Sequence, residues 1–274
     1  MHSTLVKTCP NCGADLESDF RYCPHCTQST HLHRFTLSHI AHELIHVVTH
    51  ADKSIFSLIR DLAVRPGHVA REYVLEDKRK KYFNPFTLLV LVLGLTLLLN
   101  SYYKPYSKMA DEQSKGFAVR KGDSLKKQQF SKEVDIRQRQ MMNFVETQTK
   151  WLVFLSIPIM AFVFWLFFRR SGVHYAEHLM VNIIFGCFTY LISALSVAVH
   201  GAAGWLISSG PSLFLHTLIP VLFIGWGYYQ FYQYKRPVLL LKTGLASLLA
   251  MLTVQFVVMI ITAVYLSIGL VDKL

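Results

Sequence analysis

Three groups of side chains carry residue types that could do chemistry. Residues 42–46 read HELIH, and His42, Glu43 and His46 fit H-E-x-x-H. In that pattern two imidazoles at i and i+4 share one helical face, and the adjacent glutamate serves as general base of a zinc peptidase. Residues 174–178 read HYAEH, where His174, Glu177 and His178 fit the inverted pattern H-x-x-E-H. Residues 9–26 read CPNCGADLESDFRYCPHC, two C-x-x-C pairs separated by ten residues. Each pair bends into a knuckle that offers two thiolates, so Cys9, Cys12, Cys23 and Cys26 are expected to hold one Zn(2+) in a zinc ribbon over residues 1–30.

A module this small cannot build a sufficient apolar core, so the metal must supply its folding energy. Four protein ligands close the coordination sphere, and the zinc is read as structural, with His25 a bystander. The opening MHSTLVKTCPNCG holds no apolar h-region. The N-terminus is therefore expected to be mature and cytosolic, where cysteines stay reduced and act as ligands. Cys187, in an apolar stretch, is read as a small buried side chain.

The elements around these groups follow from hydropathy. The chain is 52% hydrophobic and only 16% charged, against about 25% charged in ordinary soluble proteins. Charge is concentrated before Pro85 and between Lys104 and Lys150. The expected fold is an all-α membrane bundle over 86–274, preceded by the ribbon and by an amphipathic helical juxtamembrane region, 31–85. Apolar runs at about 86–103, 151–168, 179–200, 213–232 and within 238–270 give five expected transmembrane helices.

Within 35–64, Leu37, Ile40, Leu44, Val47 and Val48 fall on one helical side, and His39, His42, Glu43, His46 and His50 on the other. The RPG at 65–67 breaks that helix. Lys78, Arg79, Lys80 and Lys81 precede the first apolar run, with Tyr82 and Phe83 beside them. That is the order of a basic anchor and aromatic belt against anionic head groups.

Arg169 and Arg170 follow the second run; Lys235, Arg236 and Lys242 follow the fourth; the loop after the third carries no charge. The positive-inside rule then places the N-terminus in the cytosol, on the side that suits the ribbon. The polar loop 104–150, with eleven Lys or Arg against six Asp or Glu, argues against this placement, although such counting weakens for long loops. Phe130, Val134, Met141 and Phe144 suggest an amphipathic helix inside it.

CPNCG, then RPGHVAREYVLEDKRKKYFNPFTLL and later HYAEHLM, together resemble a bacterial family of multi-pass membrane proteins of unknown function. That family places a ribbon before a helix, an Arg-Pro-Gly turn, an REY helix and a basic K-Y-F-x-P-F passage into the membrane. The resemblance implies an integral inner-membrane protein with a cytosolic ribbon, and no established substrate. One departure stands out: Thr27 follows Cys26 where such ribbons usually carry Gly.

The histidine motifs are weighed against plainer roles. Short patterns recur by chance in a chain with thirteen histidines. HELIH lies on the polar face of an amphipathic helix, read as solvated or facing head groups. The HYAEH cluster sits where the third run begins, and ionisable groups at such depth are costly unless paired or wet. The plainer reading pairs Glu177 with an arginine, and Asn182, one turn on, could join a polar site.

The favoured function is a non-enzymatic docking, scaffold or zinc-sensing protein whose ribbon recruits a cytosolic partner. The alternatives are a membrane metallohydrolase using either histidine motif, and a small-solute or ion transporter using Glu177, His178 and Asn182. Nucleic acid is a weaker partner than lipid, because the basic run lies against the bilayer. The sequence leaves room for a homo-oligomer.

Overall fold

A computed structural model describes residues 7–17, 20–30, 55–116, 125–203, 217–234 and 237–271. The HELIH residues lie outside these. The chain divides into two compact units, one of residues 1–91, 161–189 and 222–247, the other of 92–160, 190–221 and 248–274. Among the described residues helices predominate beside two short strands, and four of these helices are long and apolar enough to cross a membrane.

The first unit opens with the ribbon. Strands β1 (Lys7–Thr8) and β2 (Asp15–Leu16) pair antiparallel, with Lys7 opposite Leu16. Cys9, Leu16 and Cys23 are buried together, with Ala14 and Cys26 against them.

Helix α1 (Ile55–Val64) buries Leu58 and Leu62, four residues apart on one face. Arg65 leaves the helix because a residue before proline is pushed out of the α region. Pro66, which needs no amide partner at a first helical position, starts α2 (Pro66–Val74). A ten-residue turn holding the 3-10 segment Arg79–Lys81 follows. The Asn84 side chain then accepts the Phe86 amide at 2.9 Å, capping α3 (Pro85–Tyr103), the first candidate span.

In the second unit, α4 (Pro105–Gly116) lies beside the polar part of α5 (Leu125–Phe168). Ser107 donates its amide to Glu146 at 3.3 Å, and Arg139 pairs with Asp111. The amphipathic loop helix and the second span, expected as separate elements, are one 44-residue helix. The reason is local: no Gly or Pro occurs from 125 to 157, so nothing interrupts the hydrogen-bond ladder before Pro158.

A 3-10 turn, Arg169–Ser171, ends α5, and Gly172 closes it at φ +76°. Then come α6 (Tyr175–Ala203), α7 (Ile219–Phe231) and α8 (Val238–Val271). Helices α5, α6 and α8 hold the remaining candidate spans. The fourth expected span, 213–232, corresponds to α7, whose described helix of 13 residues is shorter than the span length used for the other four. Residues 204–216, which include the expected start at 213, lie outside the described set.

Within the first unit the aromatic rings of Phe164, Phe185 and Phe231 pack around Tyr228. Gly225 meets Gly244 at a close crossing of α7 and α8, where a Cβ on Gly225 would lie 3.0 Å from the Gly244 Cα. Leu241, Leu245, Leu248 and Leu252 are exposed along α8, as expected of a surface bathed in lipid rather than water.

Candidate functional site

The two cysteine knuckles have the same local construction. In the first, the Gly13 amide donates to the Cys9 carbonyl and the Cys9 amide to the Ala14 carbonyl, both at 2.8 Å. In the second, Thr27 donates to Cys23 and Cys23 to Gln28, again at 2.8 Å. Each turn needs a left-handed residue after its second cysteine. Gly13 supplies φ +75° without cost, whereas Thr27 is held at φ +56° despite its branched side chain.

This geometry brings four sulfurs together. Cys9 Sγ is 3.6 Å from Cys26 Sγ, Cys12 Sγ is 3.6 Å from Cys23 Sγ, and all four lie within 4.8 Å of one another. Ligands about 2.3 Å from a tetrahedral ion would stand roughly 3.8 Å apart. The cluster therefore could bind a metal ion. Among the described residues it is the one group of three or more His, Cys, Asp or Glu side chains close enough to share an ion. His25 is exposed beside it. Four thiolates leave no open coordination position for a substrate.

The ribbon is tied to the turn before α3 through Gln28, which is buried. Its backbone carbonyl holds the second knuckle, while its side-chain Oε1 accepts the Lys80 amide at 3.1 Å. Sequence reading passed over Gln28. Its position two residues after the last ligand was the available signal, but no pattern marks what a knuckle rests against.

Three of the four cations at 78–81 are paired with carboxylates, while Lys80 is exposed. Lys78 Nζ is 2.9 Å from Glu76, Arg79 Nη2 is 2.9 Å from Asp77, and Lys81 Nζ is 2.5 Å from Glu72. Tyr82 also donates to Glu72. Burial alone would raise the Glu72 carboxyl. The hydrogen bonds from Lys81 and Tyr82, with the charges of Lys81 and Lys78, outweigh it and hold the group below its ordinary range. Burial, then the hydrogen bond to Glu72, pushes the Tyr82 phenol up.

The two histidines of HYAEH separate on folding, whereas Glu177 stays with His174. His174 lies just before α6 with its side chain 62% exposed. Glu177 is buried and accepts the His174 amide at 2.7 Å, three residues back, in the manner of a capping box. The His174 ring lies on the same carboxylate, its Nδ1 3.7 Å from Glu177 Oε2, and Arg169 and Arg170 are exposed.

His178 is buried, its Nδ1 3.2 Å from Tyr228 Oη and its Nε2 3.2 Å from Tyr232 Oη. Asn182 Nδ2 donates to Tyr228 Oη at 2.8 Å and to the His178 carbonyl at 2.9 Å. Tyr232 Oη lies 3.2 Å from Ser171 Oγ. Donor counting assigns the protons. Tyr228 already accepts from Asn182, so its own proton goes to His178 Nδ1; the ring proton sits on Nε2 and points at Tyr232. Both nitrogens are thus committed to tyrosines. Tyr228 and Tyr232 went unnoticed as site residues. Their i, i+4 spacing on α7, matching that of His178 and Asn182 on α6, was the legible sign. Cys187 lies buried with Sγ 3.2 Å from the Pro85 carbonyl, a weak donor rather than a reactive group.

Residues 52–97 match the family described as "Protein of unknown function (DUF3667)". The matched stretch contains Arg65-Pro66-Gly67 and the basic turn leading into α3. No curated protein and no solved structure matches the chain.

Proposed function

We propose that the chain is a multi-pass protein of a bacterial inner membrane, with a cytosolic zinc ribbon that acts as a docking or zinc-responsive module on a helical bundle. Soft thiolates in a closed tetrahedral set suit zinc. A reduced thiolate site belongs in the cytosol, and the positive residues at the ends of the apolar runs agree with that side.

The observation that carries the reading is the double role of Gln28. One side of the residue completes the metal knuckle and the other caps Lys80 in the turn before the first span. Metal occupancy is thereby linked to the order of the pre-membrane turn, because the knuckle has little reason to fold without its ion. A cytosolic protein that grips the ribbon would act on the same turn.

The test is limited trypsinolysis of the detergent-purified chain, followed at Lys78–Lys81. Chelation of the metal is expected to speed cleavage there by at least tenfold. Gln28→Ala is expected to do the same with one zinc still bound. Unchanged cleavage in the stripped protein would remove the zinc-responsive reading.

A second reading, a small-solute or ion transporter, is favoured by the buried His178–Tyr228–Asn182 group in a candidate span, since polar groups at that depth often mark a pathway. Flux in proteoliposomes that falls with His178→Ala and Asn182→Ala would support it; equal flux in empty vesicles would exclude it.

A further inference from the structure

The chain has two basic clusters near the ends of its candidate spans, and they differ in how their charge is balanced. In the turn before α3, Glu72, Glu76 and Asp77 each take a cation from Lys78, Arg79 or Lys81. After α5 there is no such supply. From residue 151 to 271 the single carboxylate is Glu177, against Arg169, Arg170, Lys235, Arg236 and Lys242. Glu177 is 1% exposed and turned onto the His174 amide.

Arg169, Arg170 and Lys242 are exposed, and among the described residues no ion pair holds any of them. Their setting fixes their depth. The apolar run of α5 stops at Phe168, and the next two residues are the arginines, on a tight 3-10 turn. Lys242, in the second turn of α8, lies with Nζ 4.8 Å from the centre of the Phe168 ring, so its ammonium reaches the level of that turn. Tyr232 joins the same rim through Ser171, and its ring stacks on Tyr234 at 5.3 Å. Cations flanked by tyrosines at the end of an apolar helix stand at head-group height.

We infer that Arg169, Arg170 and Lys242 form a docking rim for the phosphates of anionic lipid head groups. This role passes from the earlier run, where Lys78, Arg79 and Lys81 are internally paired, to the later cluster. The guanidinium fork matches a phosphodiester in two-point contact, and Lys242 adds a point charge. An uncompensated cluster attracts anions more strongly than one whose carboxylates already occupy it. The inference rests on the membrane reading proposed above.

The experiment is native mass spectrometry of the full chain in detergent, titrated with phosphatidylglycerol or phosphatidylcholine. The wild type is expected to prefer phosphatidylglycerol by at least about tenfold, since each cation near an anionic surface contributes roughly fivefold. R169Q/R170Q/K242Q should lose most of that preference, while R169K/R170K keeps it within about threefold. K78Q/R79Q/K80Q/K81Q should change it by less than the triple variant does.

A triple variant that binds phosphatidylglycerol like the wild type overturns the assignment. So does a wild type that treats the two lipids alike, or inorganic phosphate at 10 mM displacing the bound lipid, which would make this a site for a soluble anion. If the triple variant does not fold, the wild type decides: the preference must fall about tenfold between 50 and 500 mM salt, and a salt-independent preference rejects the rim. Alkaline-carbonate extraction separates the two readings. A chain that washes out of vesicles fails the membrane reading, whereas one that stays in but ignores head-group charge fails only the rim.

Discussion

A Cβ placed on Gly67 would fall 2.1 Å from the carbonyl oxygen of Gly227, with the Cβ of Gln230 at 2.4 Å. Only hydrogen fits between α2 and α7 there. Around this approach the Gly67 amide donates to Gln230 Oε1 at 3.1 Å, and Arg71 donates to the Phe231 carbonyl at 3.1 Å, meeting an oxygen freed at the end of α7. Gly67→Ala is therefore expected to cost roughly 3 kcal/mol, as overpacking does. Gly94→Ala, where nothing lies within 4 Å, should cost nothing. Thermal unfolding in detergent compares the two.

The ribbon makes a prediction about stoichiometry. Purified protein should carry one zinc per chain, and Cys12→Ser or Cys23→Ser should bring it to zero. His25→Ala and Cys187→Ala should leave it at one, because His25 is exposed and Cys187 is buried on α6 against the Pro85 carbonyl. Metal analysis of the four variants checks this.

Thr27 should respond in the opposite direction from most substitutions. Its φ of +56° strains a side chain with a branched β-carbon. Thr27→Gly removes a penalty of about 1 kcal/mol, worth roughly fivefold in apparent metal affinity. Competition against a chromogenic chelator would read the change; weaker binding by the glycine variant would contradict it.

Tyr228→Phe takes one hydroxyl and leaves two partners unsatisfied, Asn182 Nδ2 and His178 Nδ1. A loss of about 2–3 kcal/mol is expected, more than for Tyr232→Phe, which removes the partner of His178 Nε2 alone and otherwise only a contact to the exposed Ser171. Nitrogen-15 spectra of the imidazole should show the proton on Nε2 in the wild type.

Glu72 predicts a pH response. Its carboxyl is held below the unfolded value by Lys81 and Tyr82, with burial opposing them. A depressed carboxyl adds stability above the unfolded pKa, about 4.3, and gives it up as pH falls through the folded value. The wild type should thus be more stable than Glu72→Gln at pH 7, with the gap closing below about pH 4. Comparing the two proteins cancels the acid release of metal common to both.

Much of this was legible in the residues. Four cysteines in two C-x-x-C pairs announce their convergence, since the knuckle is a local turn. The candidate spans of α3, α6 and α8 follow from long apolar runs. What hydropathy could not reveal was continuity and pairing. The polar half of α5 merges with its span because nothing breaks the backbone. The run at 78–81 looked like free charge because hydropathy and charge counting do not pair residues: Glu76 and Asp77 precede Lys78 directly, and Glu72 reaches Lys81 from α2. His174 and His178 share a motif but part company, one exposed before the helix and one inside it.

The 44 residues of α5 have a mechanical consequence. At 1.5 Å per residue the helix is about 66 Å long, more than twice the roughly 30 Å hydrocarbon thickness of a bilayer. On the membrane reading proposed above, about half of that length has no hydrocarbon to cross, so the same unbroken backbone that serves as a span also supplies a long polar extension.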